Sequence, residues 1–175
     1  MFRKRHWNKM KRLAVLTLIT AFLALPVLAK REKTLSLGKI SLGQTTAKVT
    51  RHLGPPKEKG ETTEEMATGE FVQTWSYPDQ GLEIDFSRSD EKKAFTVYRV
   101  TAVEPCDFRG YMGINIGAFA VEVEALAKQL EKEPGVEVSR SENGYSFLWT
   151  ESYQMLSVGV TDGKVSQLYI GPGPE

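Results

Sequence analysis

The sequence predicts an α+β fold of two tandem repeats, each a short helical segment followed by a three- or four-stranded antiparallel meander. Three observations predict it. Displacing the 175-residue chain by 74 positions brings like residues into register, the apolar spacing in each copy changes from helical to alternating, and turn dipeptides separate the alternating runs.

The register comes first. Ile40, Leu42 and Gly43 fall on Ile114, Ile116 and Gly117, Val49 falls on Val123, and Trp75 falls on Trp149. Leu82, Ile84 and Phe86 then meet Leu156, Val158 and Val160. A displacement of 70 sets Phe95, Tyr98 and Val100 on Val165, Leu168 and Ile170, which leaves four extra residues in the charged stretch 87–93 of the first copy.

Each copy opens on a helix. After Gly43, Val49 and Leu53 stand one turn apart on a common face, Thr45 is placed to cap the start, and Gly54-Pro55-Pro56 stops the helix. In the second copy Phe119, Val123, Leu126 and Leu130 keep the helical period up to Pro134-Gly135. The remainder alternates. Strands are predicted at 71–77, 82–87 and 95–103, with a weaker one at 62–66, and at 136–140, 145–150, 154–160 and 165–170. Asn143-Gly144 and Asp162-Gly163 are type I′ hairpin signals. The two units span residues 35–104 and 109–171, joined by a linker that holds Pro105, and residues 57–70 are the most polar internal stretch. A unit of this size buries only about 60% of its unfolded surface, so the two are expected to pack as one structure.

Charge is segregated. Six basic residues and no acid lie in residues 1–29, which leaves 17 Lys and Arg against 22 Asp and Glu from residue 30 onward, a net of −5. An acidic body argues against a general nucleic-acid binder. One Cys excludes an intrachain disulfide and a structural cysteine-zinc site. Leu13 to Ala29 is an apolar run of 17 residues behind the basic cluster, ending in Val27-Leu28-Ala29. It reads as a secretory signal peptide over residues 1–29, the competing reading being an uncleaved anchor. No Cys follows the run, so a lipoprotein cleavage site is missing. A periplasmic or secreted mature protein is expected.

The repeated phrase Ile-x-[Leu/Ile]-Gly, a helix with Val six residues later, then Leu53-Gly54-x-Pro56, Trp75-x-Tyr77 and a closing hairpin together resemble the β-lactamase inhibitory protein-like superfamily. The resemblance covers nearly all of residues 35–171. It implies tandem helix-loop-helix plus antiparallel-sheet units and a protein-binding sheet. The Leu-Gly-x-Pro segment is also similar to that of the small lipoprotein of the outer-membrane β-barrel assembly machinery, which carries one such unit. The resemblance assigns no functional residue.

His52 is the only His beyond residue 29 and Cys106 the only Cys; His52 reads as a helix-end surface residue and Cys106 as a half-buried thiol rather than a catalytic pair. Glu83 and Asp85 alternate with Leu82, Ile84 and Phe86 and share one strand face, as a solvated face or as a cation or acid/base pair. Glu58, Glu61, Glu64, Glu65 and Glu70 read as a solvated loop or a dock for a basic partner. No metal-binding, phosphate-binding or nucleophile-elbow pattern is present, so neither metal nor cofactor is expected.

Aromatic residues are the candidate partner contacts: Trp75, Tyr77, Tyr98, Trp149 and Tyr169. Phe71, Gln73, Trp75 and Tyr77 share one strand face, as do Tyr145, Phe147 and Trp149. Such a face is core if it meets the helices and an interface platform if it looks outward. The expected function is an exported, noncatalytic protein-binding module, inhibitor-like or adaptor-like, using a sheet surface or inter-repeat groove to hold another protein. Two alternatives stand beside it: an envelope-assembly adaptor held by an uncleaved N-terminal segment, and a periplasmic small-ligand carrier or hydrolase.

Overall fold

The computed structural model describes residues 34–174. The signal segment assigned to residues 1–29 lies outside the described residues. Among these no helix is long and apolar enough to cross a membrane.

Among the described residues the fold is mixed, with two α-helices and one large antiparallel sheet. A short ribbon of β1 (Ser36–Leu37) and β2 (Ile40–Ser41) precedes α1 (Thr46–Leu53). There follow β3 (Glu58–Lys59), β4 (Thr63–Glu65), β5 (Glu70–Tyr77), β6 (Leu82–Arg88) and β7 (Thr96–Val103). Next come α2 (Ala120–Leu130), β8 (Val136–Ser141), β9 (Gly144–Trp149), β10 (Gln154–Thr161) and β11 (Lys164–Pro172). β3 and β4 both pair with β5 at one edge, and the order then runs β5-β6-β7-β11-β10-β9-β8. Every pairing is antiparallel.

The alternation of the strands sets which side each residue occupies. On one face Trp75, Tyr77, Leu82, Ile84, Phe86, Val97, Val100 and Ala102 join Phe147, Leu156, Val158, Val165, Leu168 and Ile170, all buried in one cluster. Both helices cover this face: α1 supplies Val49, and α2 supplies Val123, Leu126, Ala127 and Leu130. The cluster runs without a break under both helices, so the units expected at 35–104 and 109–171 share one core.

The ladder is bent at two bulges. Asp85 pairs with Arg99 while Phe86 pairs with Val97, which leaves Tyr98 extra; Gly159 pairs with Gln167 while Val160 pairs with Val165, which leaves Ser166 extra. The helix starts are tied to the strands carrying these bulges. Gly43 N–H donates to Val97 O at 2.8 Å, Val97 N–H to Gln44 O at 2.8 Å, and Thr46 N–H to Phe95 O at 3.4 Å. Similarly Gly117 N–H donates to Val165 O at 2.8 Å, Val165 N–H to Ala118 O at 2.8 Å, and Ala120 N–H to Gly163 O at 2.9 Å.

Several local expectations change. Thr45 stands at the start of α1 but its side chain makes no capping bond; the first helical N–H, of Thr46, donates to Phe95 O. Phe119 precedes α2 and is 57% exposed, so the buried face of that helix begins at Val123. Asp162 and Gly163 adopt the positive φ angles of a I′ turn, 51° and 73°. Asn143-Gly144 does not: the turn falls on Glu142 and Asn143, and Gly144 opens β9 because a Cβ there would lie 2.1 Å from Val158 O. Within the polar stretch 57–70, β4 falls inside the strand expected at 62–66 and β3 forms as well, because the backbone there finds partners along β5.

Gly81 is the most constrained turn position. It has φ +62°, and a Cβ would stand 2.2 Å from Val103 O and 2.6 Å from Cys106 N. Gly81→Ala is expected to destabilise the fold by more than about 2 kcal/mol, whereas Gly163→Ala, at positive φ in open space, costs about 1 kcal/mol. Equilibrium urea denaturation of the two variants measures the difference.

Candidate functional site

The helix-free face of the sheet is built from the alternate residues of each strand. Val72, Thr74 and Ser76 on β5 face Ser87, Asp85 and Glu83 on β6, and Arg99 and Thr101 on β7 follow. Across the seam Thr101 meets Tyr169 on β11, and Ser157 on β10 pairs with both Tyr169 and Ser146 on β9.

A polar and aromatic cluster occupies the middle of this face. Arg99 Nε donates to Asp85 Oδ2 at 2.9 Å, and its Nη1 lies 3.1 Å from Glu65 Oε1 on β4. Thr74 Oγ1 donates to Asp85 Oδ1 at 2.6 Å. The guanidinium sits 4.8 Å from the Tyr98 ring centroid, a cation–π contact. Tyr169 reaches over Gly171, where a Cβ would lie 2.3 Å from its hydroxyl and 3.0 Å from Arg99 Cγ. Only glycine lets that tyrosine lie along the sheet. The cluster spans five strands, β4 to β7 and β11.

The local field follows from these contacts. The neighbouring Asp85 and Glu65 carboxylates hold Arg99 above its ordinary value against the opposing effect of burial. Burial foremost, then Glu65, raises the Tyr98 phenol, and burial likewise raises Tyr169. Both hydroxyls are therefore neutral donors at ordinary pH. Around them the β3–β7 part of the face carries Glu58, Glu65, Glu70, Glu83 and Asp85 against the single cation Arg99 among the described residues. The β8–β11 part is different. Ser139, Ser146 and Ser157 line an open trough of about 340 Å³ there, together with the larger Arg140, Asn143 and Gln167.

Of the five aromatic candidates, two lie in this cluster. Tyr98 and Tyr169 are half-buried with their ring surfaces on the helix-free side. Trp75 and Tyr77 are core residues, 5% and 4% exposed, and are corrected from partner contacts to packing residues. Trp75 packs on Phe86 at 4.6 Å between centroids and is covered by Lys59 Nζ at 4.2 Å. Tyr77 lies beneath the end of α1, its hydroxyl donating to Gly54 O at 3.4 Å. Trp149 is half-buried on the helix side, edge-on to Tyr111 at 5.0 Å, so it is not part of the cluster.

The other candidates are scattered. His52 is exposed at the end of α1, on the opposite side of the sheet from Glu83 and Asp85. Asp85 is engaged by Arg99 and Thr74, and Glu83 borders an open hollow of about 370 Å³ with Ser76, Leu82 and Thr101. Cys106 is buried; burial raises its thiol, keeping it protonated. No group of three or more His, Cys, Asp or Glu among the described residues is placed to hold a metal ion.

Arg99 and Thr74 carry no motif in the sequence, whereas Glu65 belongs to the acidic group read as a solvated loop or a dock for a basic partner. One signal pointed to Arg99: buried Val97 and Val100 are three apart, which breaks strict alternation and turns both Tyr98 and Arg99 outward. No family model, curated protein or solved structure matches the chain.

Burial pushes the Tyr77 phenol up to about 12 from its ordinary 10.0. The unfolded chain then releases this proton first as pH rises, so the stability held below pH 10 is lost between about pH 10 and 12. Tyr77→Phe is expected to flatten that loss, with Tyr98 and Tyr169 retaining a smaller decline of the same sign. Urea denaturation across the alkaline range measures it; equal slopes for both proteins contradict it.

Proposed function

We propose that this protein is an exported, noncatalytic protein-binding module that holds a basic protein surface on the helix-free face of its sheet. The observation that carries the reading is the cluster of Tyr98, Arg99 and Tyr169 in the middle of that face. Tyr and Arg dominate the energetics of protein interfaces, since they offer large area, little flexibility and polar ends. A central trio flanked by carboxylates on one side and an open trough on the other suits a partner with a basic rim and one protruding element.

The module is read as two copies of one helix-then-meander unit. The recurring backbone contacts support this. Gly43, Gln44 and Thr46 bond to Val97 and Phe95 as Gly117, Ala118 and Ala120 bond to Val165 and Gly163. Isolated bridges join Thr45 to Thr96 and Phe119 to Lys164, and bulges follow Asp85 and Gly159. These contacts keep the offset of 74 at the helix starts and at β6 and revise the later one from 70 to 68, so Val97 answers to Val165 and Val100 to Leu168. They also give Trp75, opposite Ile84, the counterpart Tyr145, opposite Val158, in place of Trp149. At an offset of 68 the seam pair Thr101–Tyr169 joins equivalent positions, and the local two-fold axis passes through it.

Export rests on the basic cluster and the apolar run ending at Ala29. The runner-up, an adaptor anchored by that run, differs in one respect only. Mass measurement of the protein from its producing cell is expected to show the loss of residues 1–29, and their retention favours the anchored form.

Binding is tested by capture from a cell-envelope extract. Tyr98→Ala, Arg99→Ala and Tyr169→Ala are each expected to weaken capture about tenfold or more, equivalent to about 1.4 kcal/mol or more, while Lys48→Ala on the helix side leaves it unchanged. Capture insensitive to all three changes on the sheet face overturns the reading.

A further inference from the structure

The sheet has two edges, and they are built differently. β3 and β4 are strands of two and three residues separated at 60–62, set among Glu58, Glu61, Glu64 and Glu65. Short, interrupted and charged, that edge is guarded against further pairing. β8 is the opposite case. Its six residues pair with β9 in unbroken register from Val136–Trp149 to Ser141–Gly144, with neither bulge nor proline. Its other side has no strand among the described residues.

The side chains of β8 leave that edge open. Glu137, Ser139 and Ser141 lie on the helix-free face, and Val136, Val138 and Arg140 on the helix face. Arg140 is drawn back to its own helix, Nε lying 3.0 Å from Glu124 Oε2 and Nη1 2.6 Å from Glu131 Oε1. Lys128 Nζ also lies 3.6 Å from Glu124 Oε1. The ion-pair network on the helix side of this edge therefore holds two acids and two bases, a net charge of zero, with Glu137 on the other face. Val121, 73% exposed, stands on the same flank of α2.

We propose that β8 pairs antiparallel with β8 of a second copy, making a two-fold dimer with one continuous sheet. The geometry on both sides of the sheet permits it. A two-fold axis normal to the sheet at Val138 or at Ser139 keeps helix face with helix face. With the axis at Val138, Glu137 faces Ser139 of the second copy and Val136 faces Arg140. With the axis at Ser139, Glu137 faces Ser141 of the second copy and Val138 faces Arg140. Neither register sets like charges opposite each other.

The helices fit the same arrangement. α2 rests on β8 and β9, so with strands about 4.8 Å apart its axis lies about 2.4 Å inside β8. The two-fold axis lies about 2.4 Å outside it, which places the two copies of α2 about 10 Å apart, the separation at which helices pack. Strand pairing and helix packing are thus satisfied by one displacement. Lys128 of one copy meets the Glu124 and Glu131 flank of the other, and Val121 is covered. One strand pair and one helix pair form a contact at the small end of specific interfaces, below about 1,200 Å², so the dimer dissociates on dilution. Both helix-free faces end on the same side, independent of what they bind.

Sedimentation velocity of the purified protein over a wide concentration range tests this. A reversible shift from monomer to dimer mass is expected. Val138→Lys sets Lys against Lys in one register and against Arg140 in the other, and is expected to raise the dissociation constant at least tenfold. Lys128→Glu, at an exposed position, leaves the network with three acids and one base and is expected to weaken the dimer in the same direction. Circular dichroism of each variant, expected to keep the native spectrum, shows that the monomer still folds, with a lowered melting temperature expected for Val138→Lys because Val138 is half-buried against the core. A protein that stays monomeric at every concentration overturns the proposal, as does a dimer that survives both changes.

Discussion

Four residue pairs between β7 and β11 join the two parts of the sheet: Val100 with Ile170, Thr101 with Tyr169, Ala102 with Leu168 and Val103 with Gln167. Val100, Ala102, Leu168 and Ile170 are buried beneath this seam. Without it β7 and β11 would both be open edges, and each half would be a unit too small to bury much of its apolar surface. The seam makes one core from what lies under α1 and α2. It also brings Thr101 and Tyr169 together on the opposite side, so a constraint of packing decides where the exposed cluster stands.

The bulges determine what that cluster contains. An uninterrupted β7 would turn Tyr98 and Arg99 to opposite faces, sending one into the core. The extra residue in β7 lets Val97 and Val100 both face inward while Arg99 stays outward beside Tyr98. Arg99 then reaches Asp85 on the next strand and Glu65 two strands beyond that. These ion pairs are partly exposed and each contributes about 1 kcal/mol or less to stability. Their larger effect is to hold the guanidinium flat beside the tyrosine, pre-ordering a surface that any partner would otherwise have to order.

Charge is distributed by the same alternation. Glu58, Glu65, Glu70, Glu83 and Asp85 all fall on the helix-free face, whereas the exposed residues Lys48, Arg51 and His52 belong to α1 on the other side. Five carboxylates thus lie beside the tyrosines. Cys106 has the reverse character. Enclosed and protonated, it belongs to the packing under the linker rather than to any surface chemistry.

Sequence alone determined the order of the two helices and the long strands, with the strand positions at 71–77, 82–87, 136–140 and 154–160 close to those formed, but not the β1–β2 ribbon that precedes α1. Those signals are local, arising from side-chain periodicity and from Gly and Pro at chain breaks. Tertiary structure decided how the strands align and which face is covered. Alternation says that Trp75 and Tyr77 share a side, but only the position of the helices makes that side core. The edge strand β4 lies within the weak signal at 62–66, but β3 gave none, because its residues are polar and its pairing comes from the backbone. Arg99 escaped notice for a related reason: its partners lie 14 and 34 residues away, and such contacts are settled by strand register rather than by neighbours in the chain.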